Sequence, residues 1–342
     1  MTAIVGWDIG GVNTKAARIA PRGNTPPLRG VRRPFEVQHH PEALVSTVKA
    51  VAQELDAQPE DRHAVTMTAE LSQAFRTKRE GVAFILDALD RALPASTFQV
   101  YTVGGHFVSP VEARAHPRDV AASNWSATAS WLARSIPTCV LIDIGTTSTD
   151  LIPVVDGKVV AQGHTDPERL LTGELVYTGA LRTPVEAIAR RVPLWGGSAG
   201  VSAEGFALIG DAHLWLGRLN PGDYTCPTPD GRPATREYAA ERLARTVCAD
   251  RDMLGDSDID DLAIALAKAQ IETIAEALGR TRQRWPAISK AVVTGLGEFI
   301  AGEAARAAGL TVHSLAARLG SAAQLAPAVA VACLLQEMAE LE

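Results

Sequence analysis

The chain has 342 residues, of which 46% are apolar and 21% charged, the composition of an ordinary folded protein long enough for two domains. Its net charge of −6, with acidic and basic residues mixed along the chain, gives no electrostatic footprint for nucleic acid and no polybasic segment for a membrane surface. Four cysteines without a C-x-x-C pair, an N-terminus without a signal-peptide layout and no apolar run of membrane length predict a cytoplasmic protein with reduced thiols.

Residues 1–136 are predicted to form an N-terminal lobe in which strands and helices alternate. This alternation indicates a mixed or parallel sheet flanked by helices, an α/β architecture. A turn-rich loop is expected at 21–30. Apolar runs and helical spacing predict strands at 4–8, 14–20, 63–68 and 98–103, and helices at 42–55, 81–93 and 119–135.

Residues 137–342 are predicted to form a C-terminal lobe. Asp156 and Gly157 form a favourable hairpin turn between strands at 151–155 and 158–163. The glycine-rich stretch 173–222 is expected to be irregular, a strand is expected at 290–294, and helices are expected at 235–254, 258–285, 298–308 and 322–341. Two alanine-rich helical segments, 262–278 and 322–341, suit either the core or the interface of a homo-oligomer.

Two segments of the chain have nearly the same design. DIGGVNTK begins at Asp8 and DIGTTSTD begins at Asp143, and each follows an apolar run and matches the other at four of eight positions. A strand, a turn of small residues and a second strand are predicted for each. Backbone N–H groups at such a bend bind phosphate, and the carboxylates of Asp8 and Asp143 are candidates to hold a divalent cation on that phosphate.

A third segment, from Val292 to Glu298, is predicted to be an apolar strand followed by a glycine turn and the start of a helix. A helix N-terminus favours an anionic or polar ligand. A plain connection with small residues for close packing is the alternative for this segment on its own.

Several further side chains are candidates for chemistry, each with a structural alternative. Glu70 follows a predicted strand, where ligands gather in open α/β sheets, and is a candidate base or a capping group. Asp211 and His213 would face the same way on a strand but not on a helix. The other candidates are expected either at a solvated surface, in a site loop or in the core: Lys78, Arg79, Tyr177, Arg182, Thr183, Trp195 and Trp215.

The three glycine segments together resemble the actin-like ATPase superfamily, which includes sugar kinases, Hsp70-type ATPases, acetate kinase and hydantoinase A. The resemblance implies a two-lobed, ribonuclease H-like α/β fold, with two Asp–Gly loops clasping phosphates across an interlobe cleft. It implies a later glycine turn beside a nucleoside.

Further segments are similar to the hydantoinase A/oxoprolinase group, notably Asp143 to Asp150 and Gly210 to Leu219. The chain is much shorter than those enzymes and looks most like a compact subgroup linked to one-carbon metabolism with tetrahydromethanopterin. The closer match rests on Gly6 to Lys15, Thr66 to Val82 and Tyr177 to Pro184.

The subgroup resemblance implies a transferase of methanofuran biosynthesis, in which an aminomethyl-furan methyl diphosphate is joined to the phenol of γ-glutamyltyramine and diphosphate is released. Asp8, Lys15, Asp143 and Glu70 are then the expected catalytic residues, with Mg²⁺ on Asp8 and Asp143. The expected phosphate- and substrate-binding residues are Gly10, Gly11, Asn13, Thr14, Gly145, Thr146, Thr147, Ser148, Gly295, Gly297, Glu298, Lys78, Arg79 and Arg182.

Two other functions remain open at this point. The first is an ATP-dependent kinase or ligase acting on a small substrate, as in much of the superfamily. The second is a phosphate-sensing regulator without catalysis. The expected partners are a diphosphate ester and a phenolic amine acceptor, with neither nucleic acid nor membrane.

Overall fold

The computed structural model describes residues 2–20, 28–94 and 97–341. The chain divides into two compact units, the first made of residues 1–139, 152–172 and 315–342 and the second of 140–151 and 173–314. The first change of unit lies close to the boundary expected after residue 136. The two-segment division itself differs from the structure, because 152–172 and the C-terminal residues pack with the N-terminal part.

The first sheet consists of β1 (Ile4–Ile9), β2 (Asn13–Ile19), β3 (Leu28–Pro34), β4 (Arg62–Met67), β5 (Phe98–Tyr101) and β6 (Phe107–Val108). Their spatial order is β3-β2-β1-β4-β5-β6, with β1 antiparallel to β2 and parallel to β4. β3 was not expected. Of the loop predicted at 21–30, residues 21–27 lie outside the described residues and 28–30 begin β3, where pairing with β2 satisfies their backbone.

Helices cover this sheet: α1 (Leu44–Glu54), α2 (Lys78–Ala92), α3 (Pro110–Ala115), α4 (Pro117–Val120) and α5 (Asn124–Ala133). The helix predicted at 119–135 is therefore interrupted. Ala122 has a left-handed φ of 52°, which a continuous α-helix does not allow. Side chains of β1, β4, α1 and α2 form the main core of the first unit.

The rest of the chain contains β7 (Cys139–Ile144), β8 (Thr149–Val155), β9 (Lys158–Val159), α6 (Asp166–Thr172), β10 (Leu175–Val176), β11 (Arg191–Leu194), β12 (Gly197–Gly200), α7 (Ile209–Trp215), α8 (Arg236–Arg245), α9 (Asp256–Arg284), β13 (Lys290–Thr294), α10 (Glu298–Ala307), β14 (Thr311–Ser314), α11 (Ala316–Leu319) and α12 (Ala326–Leu341). The second sheet has the order β10-β8-β7-β13-β14, with β9 beside β8. The predicted turn at Asp156 and Gly157 is confirmed, and both residues have positive φ.

Two expectations for this half are corrected. The stretch 173–222 is not simply irregular, because it contains the hairpin β11–β12 and the helix α7. The helix predicted at 235–254 ends at Arg245, where Thr246 turns its hydroxyl onto the carbonyl of Leu243.

The C-terminal segment Ala316–Glu340 is long and apolar enough, by length and composition, to cross a membrane. It is not an uninterrupted apolar run, because Arg318, Gln324 and Gln336 lie within it. Within the structure 61% of its most apolar stretch is buried. Side chains of α12 pack with those of β1, β2 and α5, which is the placement of a core helix.

Candidate functional site

The two Asp–Gly segments fold as the sequence predicts. In the first, which joins β1 to β2, the N–H of Gly10 donates to the carbonyl of Asn13 over 3.0 Å. In the second, which joins β7 to β8, the N–H of Gly145 donates to the carbonyl of Ser148 over 3.0 Å. Each loop is therefore one tight turn closed by the same hydrogen bond at the same motif position.

The first loop is held through its carbonyl oxygens. The carbonyl of Gly11 accepts from the N–H of Val37 over 3.1 Å, and that of Val12 accepts from Phe35 over 3.0 Å. In a trans peptide the N–H points opposite to the C=O, so the N–H of Val12 faces away from this anchoring segment. Within the described part of the chain, neither Gly11 nor Val12 donates its N–H to an acceptor.

The second loop is held in the same manner by the segment that follows β10. Ala180 donates its N–H to the carbonyl of Gly145 over 2.9 Å. Leu181 and Arg182 donate theirs to the carbonyl of Thr146 over 3.1 and 2.9 Å. The N–H groups of Thr146 and Thr147 consequently face away from that segment, and among residues 2–20, 28–94 and 97–341 they have no acceptor. Adjacent unpaired amides of this kind form an anion-binding concavity.

A cross-strand ion pair lies at the first loop. The register of β1 and β2 places Lys15 opposite Asp8, and its Nζ lies 3.4 Å from Oδ2 of the aspartate. Asp8 is only 3% exposed. Asn13 Oδ1 and Thr14 Oγ1 are buried and have no hydrogen-bond partner in the described chain. The loop thus combines a cation with polar atoms for which residues 2–20, 28–94 and 97–341 supply no partner.

The third glycine segment packs directly on the second loop. Gly297 donates its N–H to the carbonyl of Ile144 over 2.9 Å. Gly295 has a φ of 91°, and a Cβ there would lie 2.5 Å from Oδ1 of Asp143. Only glycine fits such a position. Glu298 begins α10 at this point, so the second unit gathers three segments that are distant in sequence.

Glu70 is a buried carboxylate beside the carboxyl end of β4. It lies in the 3-10 helix Ala69–Leu71 and is 1% exposed. Burial raises its pKa to about 7, although the ammonium of Lys78, 3.6 Å from Oε1, acts in the opposite direction. Neither carboxyl oxygen has a hydrogen-bond partner among the described residues. A carboxylate with this pKa is suited to proton transfer near neutral pH.

Lys78 belongs to a charged cluster that sequence reasoning missed in part. Its Nζ donates to Oδ2 of Asp166 over 2.6 Å. The guanidinium of Arg169 lies 3.8 Å from the same carboxylate and 4.5 Å above the ring of Trp125. Asp166 opens a short helix and carries no motif, so only the fold reveals its partner. The charge of Lys78 already faces the carboxylates of Glu70 and Asp166. The predicted phosphate-binding role of Lys78 stays a prediction.

The two predicted arginines lie at the surface. Arg79 is exposed in the first turn of α2, and the side chain of Arg182 is exposed while its backbone holds the second loop. Their roles toward a ligand stay predictions.

Asp211 and His213 lie on the helix α7 and therefore face different partners. Asp211 is fully buried against Arg242, with nitrogen–oxygen distances of 2.7 and 3.0 Å. The Asp211–Arg242 pair is a structural element of the second unit.

The two candidate tryptophans have different surroundings. The indole N–H of Trp215 donates to the carboxylate of Asp260, and Trp195 is exposed at the tip of the β11–β12 hairpin.

A metal site is not preformed in the described residues, which contain no group of three or more His, Cys, Asp or Glu side chains suited to a metal ion. Mg²⁺ bound to a phosphate does not need such a group, because that ion keeps several waters and takes only one or two protein carboxylates. The predicted sharing of Mg²⁺ by Asp8 and Asp143, and the predicted interlobe cleft, stay predictions.

Solved structures with low sequence identity share the fold. A nucleotide-free acetone carboxylase superposes with a TM-score of 0.58 at 12% identity, covering 97% of this chain and 70% of that one. A ROK family glucokinase from Streptomyces griseus, solved with glucose and AMPPNP, gives 0.50 at 13% identity, covering 95% and 97%. The chain has the actin-like ATPase fold that the resemblance implied.

Sequence comparisons identify the family. A protein of Methanocaldococcus jannaschii named (4-{4-[2-(gamma-L-glutamylamino)ethyl]phenoxymethyl}furan-2-yl)methanamine synthase is 37% identical over 336 residues, 98% of each chain. A protein of the same name from Methanococcus vannielii is 38% identical over 162 residues, 47% of this chain and 72% of that protein. The family model described as hydantoinase/oxoprolinase matches residues 61–338. The chain belongs to the hydantoinase/oxoprolinase family.

Proposed function

We propose that this protein is an aryl-ether-forming transferase that makes the furan methanamine product for which its archaeal relatives are named. The observation that carries the proposal is the 37% identity over 98% of both chains. Such a match leaves no large segment of either chain without a counterpart. We further propose that the reaction occurs in the cytoplasm as a step of methanofuran-type cofactor biosynthesis.

The product's name contains a phenoxymethyl group on a furan, which defines the bond to be made. The phenol oxygen of γ-glutamyltyramine bonds to the exocyclic methylene of the furan. The bond from that methylene to the diphosphate oxygen breaks, and its electron pair leaves with diphosphate. The phenol proton passes to a base. A furan stabilises positive charge on the methylene, so the main requirement is stabilisation of the leaving group.

The second loop supplies donors suited to that leaving group. The amides of Thr146 and Thr147 have no acceptor in the described chain, and their carbonyl sides are fixed by hydrogen bonds. Donors held in this way need no reorganisation as charge develops on diphosphate. In the first unit, the amides of Gly11 and Val12 and the ammonium of Lys15 offer a comparable set. If bound, Mg²⁺ on Asp8 or Asp143 would neutralise further charge on the phosphates.

Glu70 is the proposed base for the phenol. Its pKa of about 7 means that it is substantially ionised at neutral pH and still able to hold a proton. Its two carboxyl oxygens have unused acceptor capacity. In this proposal Lys78 keeps the carboxylate in place, and Asp166 in turn fixes Lys78.

Incubation of the purified protein with Mg²⁺, the furan methyl diphosphate and γ-glutamyltyramine tests the proposal. Release of diphosphate together with an equal amount of ether is expected. Tyramine without the glutamyl group serves as the acceptor control. Absence of both products with each acceptor would refute the proposal, and turnover that requires ATP would favour the kinase or ligase alternative. Calorimetry with ATP and with diphosphate distinguishes those two ligands independently.

A further inference from the structure

Gln270 lies in the middle of α9, far from every glycine segment in sequence, and yet it contacts the peptide that holds the second loop. It is 0% exposed. Its Nε2 donates to Oγ1 of Thr178 over 2.9 Å and to the carbonyl of Gly179 over 2.8 Å. Its Oε1 lies 2.8 Å from Nε2 of His213. Every polar atom of this buried amide is therefore used.

The network fixes the protonation state of the histidine. The carbonyl of Gly179 can only accept, so the amide nitrogen of Gln270 must face it and the amide oxygen must face His213. Nε2 of His213 therefore carries the proton and donates. Burial lowers the pKa of His213 to about 4, so the ring is neutral at physiological pH. The ring also packs edge-to-face with that of Phe299 in the first turn of α10, with 5.0 Å between the two ring centroids.

The peptide held by Gln270 lies against the phosphate-type loop. A Cβ at Gly179 would lie 2.5 Å from the backbone nitrogen of Thr147. The next residues, Ala180 to Arg182, donate the hydrogen bonds that hold the carbonyls of Gly145 and Thr146. Thr183 completes the segment, since its Oγ1 accepts from the N–H of Gly179 over 3.1 Å. The position of this segment decides where the two unpaired loop amides point.

We infer that Gln270, together with His213, is a positioning residue for diphosphate binding, acting through the Thr178–Gly179 peptide on the amides of Thr146 and Thr147. The inference rests on the proposed function, because diphosphate is the ligand whose binding it controls. It assigns a role to a helix residue that carries no recognisable motif. It also explains why a glutamine amide with three hydrogen bonds is buried there.

The test measures the affinity of inorganic diphosphate with Mg²⁺ by calorimetry for the full chain and three variants. Gln270→Met keeps the volume and removes the hydrogen bonds, and should weaken binding about tenfold, or about 1.4 kcal/mol, roughly one net hydrogen bond. Thr281→Val is the matched control: Thr281 is 3% exposed on the same helix and its hydroxyl bonds only to Ala277 within that helix. It should keep the wild-type affinity. Equal affinities for Gln270→Met and wild type would overturn the inference.

Gln270→Glu adds a readout that packing alone does not move. As a carboxylate the new side chain cannot donate to the carbonyl of Gly179, whereas its protonated form can. Its affinity relative to wild type should therefore recover as the pH falls from about 8 to about 6, because burial raises a carboxyl pKa. A ratio independent of pH would contradict the inference. The pH dependence of this variant also serves as the test if Gln270→Met does not fold.

Failure of the proposed function gives a different result. Wild-type protein that binds no diphosphate would refute that function and leave the positioning network open to a direct measurement. Amide hydrogen exchange of Ala180, Leu181 and Arg182 reports the bonds that hold the loop. Exchange at these three amides should be faster in Gln270→Met than in Thr281→Val, and equal exchange would overturn the inference without reference to any ligand.

Discussion

Replacing Glu70 with glutamine should stabilise the fold above neutral pH while it removes the proposed base. The pKa of Glu70 is about 7 in the fold and 4.5 ordinarily, with burial as the main cause. The folded state therefore binds this proton more tightly than the unfolded state, and stability falls as the pH rises from 4.5 to about 7. At about 1.36 kcal/mol per pH unit, the cost is about 3 kcal/mol once the carboxylate is ionised.

The glutamine variant has no charge to bury, so it should not pay this cost. We expect Glu70→Gln to be more stable than wild type by about 3 kcal/mol at about pH 8, and by less than about 1 kcal/mol at about pH 5. Urea denaturation of both proteins at the two pH values measures the difference, and other titrating groups cancel in the comparison.

Asp61→Asn is the matched contrast for this experiment. Asp61 is 3% exposed but accepts hydrogen bonds from Arg18 and from the backbone of Gln58. Its substitution should destabilise the fold at about pH 8, because Arg18 loses the buried carboxylate with which it is paired. A Glu70→Gln variant that is less stable than wild type at about pH 8 would refute the reasoning, since the ion pair with Lys78 would then outweigh the cost of burial.

Further predictions concern catalysis by Glu70→Gln and the effects of four other substitutions. Glu70→Gln should also lower kcat by about 10²- to 10⁴-fold and abolish the rise in rate through about pH 7, as pH–rate profiles would reveal. Gly179→Ala should weaken diphosphate binding in calorimetry and lower Tm, because its Cβ would meet the backbone of Thr147, whereas Gly279→Ala in an open position of α9 should gain about 0.5–1 kcal/mol. Asp211→Ala should cost about 3–5 kcal/mol in urea denaturation, since Arg242 would remain buried without its main partner. Lys15→Met should raise the Kd for diphosphate and also lower Tm, because the buried carboxylate of Asp8 loses this cation, and unchanged affinity would exclude Lys15 from phosphate binding.

Features with strong local signals were predictable from the sequence. The two Asp–Gly loops, the hairpin at Asp156 and the strand before Gly295 are all confirmed, because apolar runs and glycine turns determine them locally. The helix over 119–135 was predicted without its break, since the left-handed φ of Ala122 has no sequence signature. The return of α12 to the first unit depends on tertiary packing and could not be deduced from spacing.

The candidate site was predictable only where its residues carry motifs. Glu70 was recognised from its place after a strand, but its raised pKa depends on burial that only the fold shows. Asp166 and Gln270 have no motif and become visible through contacts with Lys78 and Gly179. The sequence left open whether Asp211 and His213 lie on a strand or on a helix. Both lie on the helix α7, so their side chains face different ways.

The most direct test of the central claim is a single stoichiometry. Purified protein with Mg²⁺, the furan methyl diphosphate and γ-glutamyltyramine is followed by phosphorus NMR for diphosphate and by mass spectrometry for the ether. Equal amounts of the two products are expected without ATP, and both should form about 10²- to 10⁴-fold more slowly in Glu70→Gln. Ether formation that requires ATP, or diphosphate release without ether in the presence of acceptor, would contradict it.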